Sequence, residues 1–209
     1  MRPARKACTE WVYVSPCIIA AVTSCIDQIL PALISSWRPA ALPAAHPLHD
    51  WLTDSASLTA RIRARCQHLQ VRVLGQCLVR VHADEALALG VRPDQWVWLR
   101  EVLLIADGVP VVYARSVLAR EAIRGAWRIF RGMGARPLGQ ALFADPQIRR
   151  GVLSSRKLDR RDARQRCAVR AAGLPADSVL WARRSCFTRG GKPLVVCEVF
   201  LPAVLKLES

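Results

Sequence analysis

The sequence predicts an α+β protein built on antiparallel strands, and three observations carry that prediction. Two long apolar runs, residues 96–106 and 109–118, flank Asp107-Gly108, a dipeptide that suits a two-residue hairpin turn because both positions favour positive φ. A second pair of runs, Leu180–Thr188 and Pro193–Pro202, meets at Arg189-Gly190-Gly191-Lys192. Between the hairpins lies a stretch with helical spacing, Arg120–Arg131, with Ile123, Trp127 and Phe130 on one face.

Taken from its start, the chain opens with a segment unlike the rest. Arg2, Arg5 and Lys6 precede an apolar run from Trp11 to Cys25, which superficially resembles a signal peptide. Glu10 and Asp27 bound that run, so it falls short of the ~18 uncharged residues a membrane span needs. Residues 1–36 are expected to form an extension, disordered or loosely docked, or to follow from a start codon the cell does not use. The domain is expected to occupy residues 37–209. After a Pro/Ala-rich linker from Pro39 to Pro47, Asp50-Trp-Leu opens a helix, and Asp54 or Ser55 could cap another carrying Leu58, Ile62 and Arg65. Leu69, Val71 and Val73 alternate with polar residues as in a half-buried strand. Gly75 marks a bulge or turn, and Cys77 to His82 reads as a second strand. Residues 83–95 read as a loop or short helix. Residues 146–176 are arginine-rich without a clean apolar stripe, and read as a solvated helical insertion.

At 209 residues and 52% hydrophobic content the chain can bury one substantial core. The formal charge of +15 comes mostly from arginines scattered along the chain. A nucleic-acid binder more often concentrates basic residues on one patch, so no nucleic-acid partner is expected, although the positive field would steer a small dianion. The eight cysteines contain no Cys-x-x-Cys pair, and reduced thiols in the cytoplasm are the simplest account; a monomer is expected. His46 and His49 have no sulfur ligand near them, and read as loop residues rather than a metal site.

Two features point to a site. With Asp107 and Gly108 as the central turn residues, simple counting sets Arg100 opposite Arg115 on an apolar strand face. Like charges so placed repel unless an anion lies between them. Either the pair holds a ligand carboxylate, or one arginine snorkels out while the other pairs with an acid such as Glu101 or Glu198. Glu198 shares its strand face with Leu194, Val196 and Phe200, and Arg183 lies opposite if Gly190-Gly191 form the turn. That carboxylate belongs either to a structural ion pair or to a ligand site.

Four blocks, in order, resemble the chorismate pyruvate-lyase family. They are Trp98-Leu-Arg-Glu-Val-Leu-Leu-Ile-Ala-Asp-Gly, Arg136-Pro-Leu-Gly-Gln-Ala-Leu-Phe143, Leu180-Trp-Ala-Arg-Arg-Ser, and Gly191-Lys-Pro-Leu-Val-Val-Cys-Glu-Val-Phe-Leu-Pro202. The resemblance runs from about Trp37 to Pro202. It implies a single antiparallel sheet with helices packed on it, and helical flaps over an enclosed ligand. It also implies elimination of pyruvate from chorismate to give 4-hydroxybenzoate for ubiquinone synthesis, with no metal and no organic cofactor. Carried over by matching motif, the implied ligand contacts are Arg100, Arg115, Leu138 and Glu198. A family methionine corresponds to Leu58. Arg100 and Glu198 are the expected catalytic groups. The rival class is a non-catalytic small-anion-binding effector domain of the same fold, disfavoured because the first 50 residues make no convincing helix-turn-helix.

Overall fold

The computed structural model describes residues 37–40 and 42–208, so the expected extension over residues 1–36 lies outside the described residues. In chain order the elements are β1 (Arg38–Pro39), α1 (His49–Thr53), α2 (Leu58–Arg63), β2 (Leu69–Arg80), α3 (Ala83–Leu89), β3 (Trp96–Ala106), β4 (Val109–Ala119), α4 (Leu138–Ala144), β5 (Arg149–Arg150), β6 (Ser154–Leu158), α5 (Ala163–Ala172), β7 (Leu180–Arg189) and β8 (Lys192–Phe200). A 3-10 segment, Pro202–Glu208, follows. The strands form one antiparallel sheet in the order β1-β6-β7-β8-β4-β3-β2, with β5 pairing with β7.

Both hairpin turns form where the dipeptides indicate. Asp107 (φ 47°) and Gly108 (φ 82°), and likewise Gly190 (φ 53°) and Gly191 (φ 71°), take the left-handed conformation of a type I′ turn. The β7–β8 register follows directly, with Arg183 opposite Glu198. The β3–β4 register does not. Leu104 pairs with Val112 and Ile105 with Pro110, which leaves Val111 as an extra residue in a bulge. Beyond it Arg100 faces Ser116, and Glu101 faces Arg115. The expected Arg100–Arg115 pairing is therefore corrected: one inserted residue sends the two side chains to opposite faces.

Other expectations need adjustment. Residues 69–80 make one strand with a register shift at Gly75, not two strands. Ser57, not Asp54 or Ser55, caps α2, its Oγ accepting from the Ala60 N–H at 3.3 Å. Arg120–Arg131 is not an α-helix but two 3-10 segments, Ala122–Arg124 and Arg128–Gly132, because Gly125 (φ −112°, ψ −110°) leaves helical geometry. Ile123, Trp127 and Phe130 are nonetheless all buried. Residues 146–176 are not a solvated helical insertion. They supply β5, β6 and α5, and Leu158, Ala168 and Val169 enter the core. Arginine on the solvent side of an edge strand and of a packed helix hides that apolar face from a simple periodicity count.

The sheet divides the core into two layers. One face, with Val102, Leu104, Val112, Val196 and Phe200, packs against α1, α2, α4 and the 3-10 segments. The other, with Leu103, Ile105, Tyr113, Val195, Cys197 and Val199, packs against α3 and α5. This second face contains a buried ion network. Arg115 forks onto Glu85 (Nε–Oε1 2.8 Å, Nη2–Oε2 3.1 Å) and reaches Glu101 Oε1 at 3.1 Å; the Tyr113 hydroxyl also donates to Glu101. Arg164 Nη1 donates to Asp84 Oδ2 at 2.8 Å, which also accepts from Trp37 Nε1 at 2.7 Å. Burial works to raise the Asp84 and Asp162 carboxyls, but Arg164 and the other donors outweigh it and hold both below the usual range.

Two expectations for stability follow from that network. Glu85 is 1% exposed and Arg115 6%, so Glu85→Ala removes the bidentate partner of a buried guanidinium and leaves it Glu101 alone. It should cost about 3–5 kcal/mol in urea unfolding; a loss comparable to that of an exposed pair, below about 1 kcal/mol, would contradict the assignment. The lowered Asp84 and Asp162 carboxyls stabilise the fold fully above their unfolded values near ~4. That contribution is lost as pH falls through the lowered folded values, so the unfolding midpoint should drop on acidification through this range.

Candidate active site

A pocket of about 540 Å³, the open space at its mouth included, lies between the first face of the sheet and the N-terminal ends of α2 and α4. Two adjacent cross-strand rows underlie it, and all of their members but Ser185 line it. In the first, Arg183 of β7, Glu198 of β8, Ala114 of β4 and Val102 of β3 lie side by side. In the second the sequence is Ser185, Val196, Ser116 and Arg100. Arg100 and Arg183 thus stand at diagonally opposite ends, three strand spacings and one row apart, roughly 16 Å at the backbone.

Leu58 and Leu138 are the first residues of α2 and α4, and both are buried against the pocket. The Pro-Leu-Gly block that contains Leu138 has a local logic. Pro137 (φ −63°, ψ 128°) sets the extended entry into α4, and Leu138 lines the cavity. Gly139 allows the two helix ends to meet, since a Cβ there would lie 3.0 Å from Ser57 Oγ and 3.1 Å from Thr59 Oγ1.

The charges are unequal. Three guanidiniums (Arg100, Arg150 and Arg183) line the pocket with one carboxylate, Glu198, a net of two positive charges. Arg183 is ion-paired: its Nε donates to Glu198 Oε2 at 2.5 Å and its Nη1 to the Trp51 and Asp54 carbonyls at the end of α1 at 2.9 and 2.8 Å, while its Nη2 has no partner. Arg100 is 1% exposed. Its Nη2 donates to the carbonyls of Gly134 (2.9 Å) and Arg136 (3.0 Å), its Nε has no partner, and no carboxylate pairs with it among the described residues. Burial lowers its pKa, the expected response of an uncompensated buried cation. An anion placed beside Arg100 would relieve that cost.

Of the residues singled out from the sequence, Arg100, Glu198, Leu58 and Leu138 come together here. Arg115 does not; it lies on the opposite face, held by Glu85 and Glu101, and it makes no part of this pocket. Arg150 was missed. It sits on a two-residue strand inside the segment that reads as helical, and no local pattern marks it. Ser116 and Phe187 also line the pocket, on strand faces fixed by the two hairpins. His46 and His49 make local contacts: His46 Nδ1 accepts from the Leu48 N–H at 3.1 Å, and His49 Nδ1 lies 2.8 Å from the Leu42 carbonyl. Among the described residues no cluster of three or more His, Cys, Asp or Glu side chains is placed to hold a metal ion, and no helix is long and apolar enough to cross a membrane.

The family model described as chorismate lyase matches residues 35–208. A probable chorismate pyruvate-lyase of Aromatoleum aromaticum is 57% identical over 163 residues, covering 78% of this chain and 88% of that protein. Its counterpart in an Azoarcus species is 53% identical over 184 residues, covering 85% and 96%. Among solved structures, the effector domain of PhnF from Mycobacterium smegmatis aligns with a TM-score of 0.52 at 16% identity, over 70% of this chain and 89% of that one, which is a likeness of fold alone. With a family match across most of its length and relatives more than half identical, the chain belongs to the chorismate lyase family.

Proposed function

We propose that the protein is a chorismate pyruvate-lyase, which releases pyruvate from chorismate and leaves 4-hydroxybenzoate, the precursor of the ubiquinone ring. The observation that supports this most strongly is the pocket's charge: three guanidiniums against one carboxylate suit a dianion, and chorismate carries two carboxylates. Arg100 and Glu198 stand two strands and one row apart, roughly 12 Å at the backbone. With side chains reaching inward, that span suits a six-membered ring carrying a carboxylate at one end and a hydroxyl at the other.

In this reading Arg100 holds the ring carboxylate, and Glu198 faces the hydroxyl-bearing C4. The C3–O bond to the enolpyruvyl group breaks, the C4 proton is lost, and the enolpyruvate gains a proton at its methylene carbon to become pyruvate. Aromatisation supplies the driving force, so the residues need only position the dianion and stabilise charge on the departing oxygen, with no metal and no organic cofactor. Arg183 fixes one oxygen of Glu198, which leaves the other to receive the hydroxyl hydrogen bond or the C4 proton. Leu58 and Leu138 keep water from the reacting carbons, with the ends of α2 and α4 acting as flaps over the ligand. The catalytic domain comprises residues 37–209.

Incubation with chorismate in the presence of a chelator should yield 4-hydroxybenzoate and pyruvate in equal amounts. Tight binding of 4-hydroxybenzoate without turnover of chorismate would favour a small-anion-binding effector domain instead. Glu198→Gln separates the two roles of the acid. Loss of proton transfer should lower kcat by ~100-fold or more while 4-hydroxybenzoate still binds. A folded variant with wild-type turnover would remove Glu198 from the chemistry.

A further inference from the structure

Arg150 is the pocket residue that neither the sequence motifs nor the fold assigns. It lies on β5, paired with Phe187 of β7, and its guanidinium packs over the rings of Phe143 and Phe187, 5.6 and 5.4 Å from their centroids. Its polar partners are all neutral: Nε and Nη2 donate to Ser185 Oγ at 3.0 and 2.7 Å, and Nη1 donates to the backbone carbonyls of Ser55 and Ala56. No carboxylate forms an ion pair with it among the described residues. Ser185 ends the same cross-strand row that Arg100 begins, with Val196 and Ser116 between them. The Arg150 side chain reaches Ser185 from the neighbouring Phe187 row, so two guanidiniums without an ion-paired carboxylate flank this row of the pocket, while Arg183 is ion-paired with Glu198. Arg150 and Phe143 also line a neighbouring opening with Ser55 and Val152, so that end of the pocket adjoins a route to solvent.

We propose that Arg150 is the second carboxylate anchor of the site, gripping the carboxylate of the departing three-carbon group while Arg100 grips that of the ring. This rests on the chorismate reading and deepens it. A ligand with one carboxylate needs only Arg100, whereas a ligand with two is held at both ends. Cleavage divides the two charges between separate molecules, so each product keeps one anchor only, and the fragment on Arg150 leaves through the adjoining opening.

The test compares Arg150→Gln and Arg150→Lys with the wild type, using chorismate and 4-hydroxybenzoate as paired probes. Arg150→Gln should raise KM for chorismate by roughly 10- to 100-fold, the scale of one charge-assisted contact. Its affinity for 4-hydroxybenzoate should stay within about twofold of wild type, and Arg150→Lys should recover part of the loss. Thermal unfolding of each variant checks the link from Arg150 to Ser55. An unchanged KM, or equal weakening toward both ligands, would overturn the proposal, the latter because it would reduce Arg150 to a structural clip. If the wild type leaves chorismate intact, the activity reading fails separately, and the same contrast is read from calorimetric titration of chorismate.

Discussion

A single extra residue in the central hairpin decides what this molecule can do. Val111 bulges out of β4, and every residue beyond it is turned over relative to the register that the Asp107-Gly108 turn alone would set. Ala114 and Ser116, both small, are thereby delivered to the pocket floor between Arg100 and Glu198, and Arg115 and Tyr113 are delivered to the opposite layer. Without the bulge, two guanidiniums would confront each other on one face, and Tyr113 would fill space that the pocket needs. The two charged systems of the fold are separated by this one backbone irregularity.

The two systems are built on opposite principles. On the α3/α5 face every buried charge is answered: Arg115 by Glu85 and Glu101, Arg164 by Asp84 and Asp162. That network holds helices to the sheet, and the Cys197 thiol beside it, pushed up to about 12 by burial, is an inert part of the packing. On the pocket face Arg100 and Arg150 have no ion-paired carboxylate among the described residues. An unpaired buried cation such as Arg100 is costly, and a ligand that supplies the missing charge relieves that cost; Arg150 is only half-buried. The fold thus satisfies its own electrostatics on one side of the sheet and defers them to a substrate on the other.

Much of this was legible from the residues. The two turn dipeptides located four strands, and strict alternation in β8 placed Glu198 on the apolar face opposite Arg183. The four motif blocks, read together, pointed to Arg100, Leu138 and Glu198, and Leu58 followed from a weaker correspondence. The faces of Arg100 and Arg115 were not legible from counting, because a bulge depends on tertiary packing; the one available hint was Pro110, which cannot donate to a ladder and is tolerated at such irregularities. Arg150 and the strands around it were hidden for a different reason. Short edge strands carry little periodicity, and arginine-rich sequence masks their buried positions. The break at Gly125 likewise left the buried set Ile123, Trp127 and Phe130 intact while removing the helix that their spacing suggested.

The most direct measurement is a crystal structure of the protein soaked with 4-hydroxybenzoate. The ligand should lie on the pocket floor with its carboxylate on the Arg100 guanidinium and its hydroxyl within hydrogen-bonding distance of Glu198, while Arg115 keeps its contacts with Glu85 and Glu101. A carboxylate bound at Arg115, or ligand density confined to another surface, would contradict the division of the sheet into a structural face and a binding face.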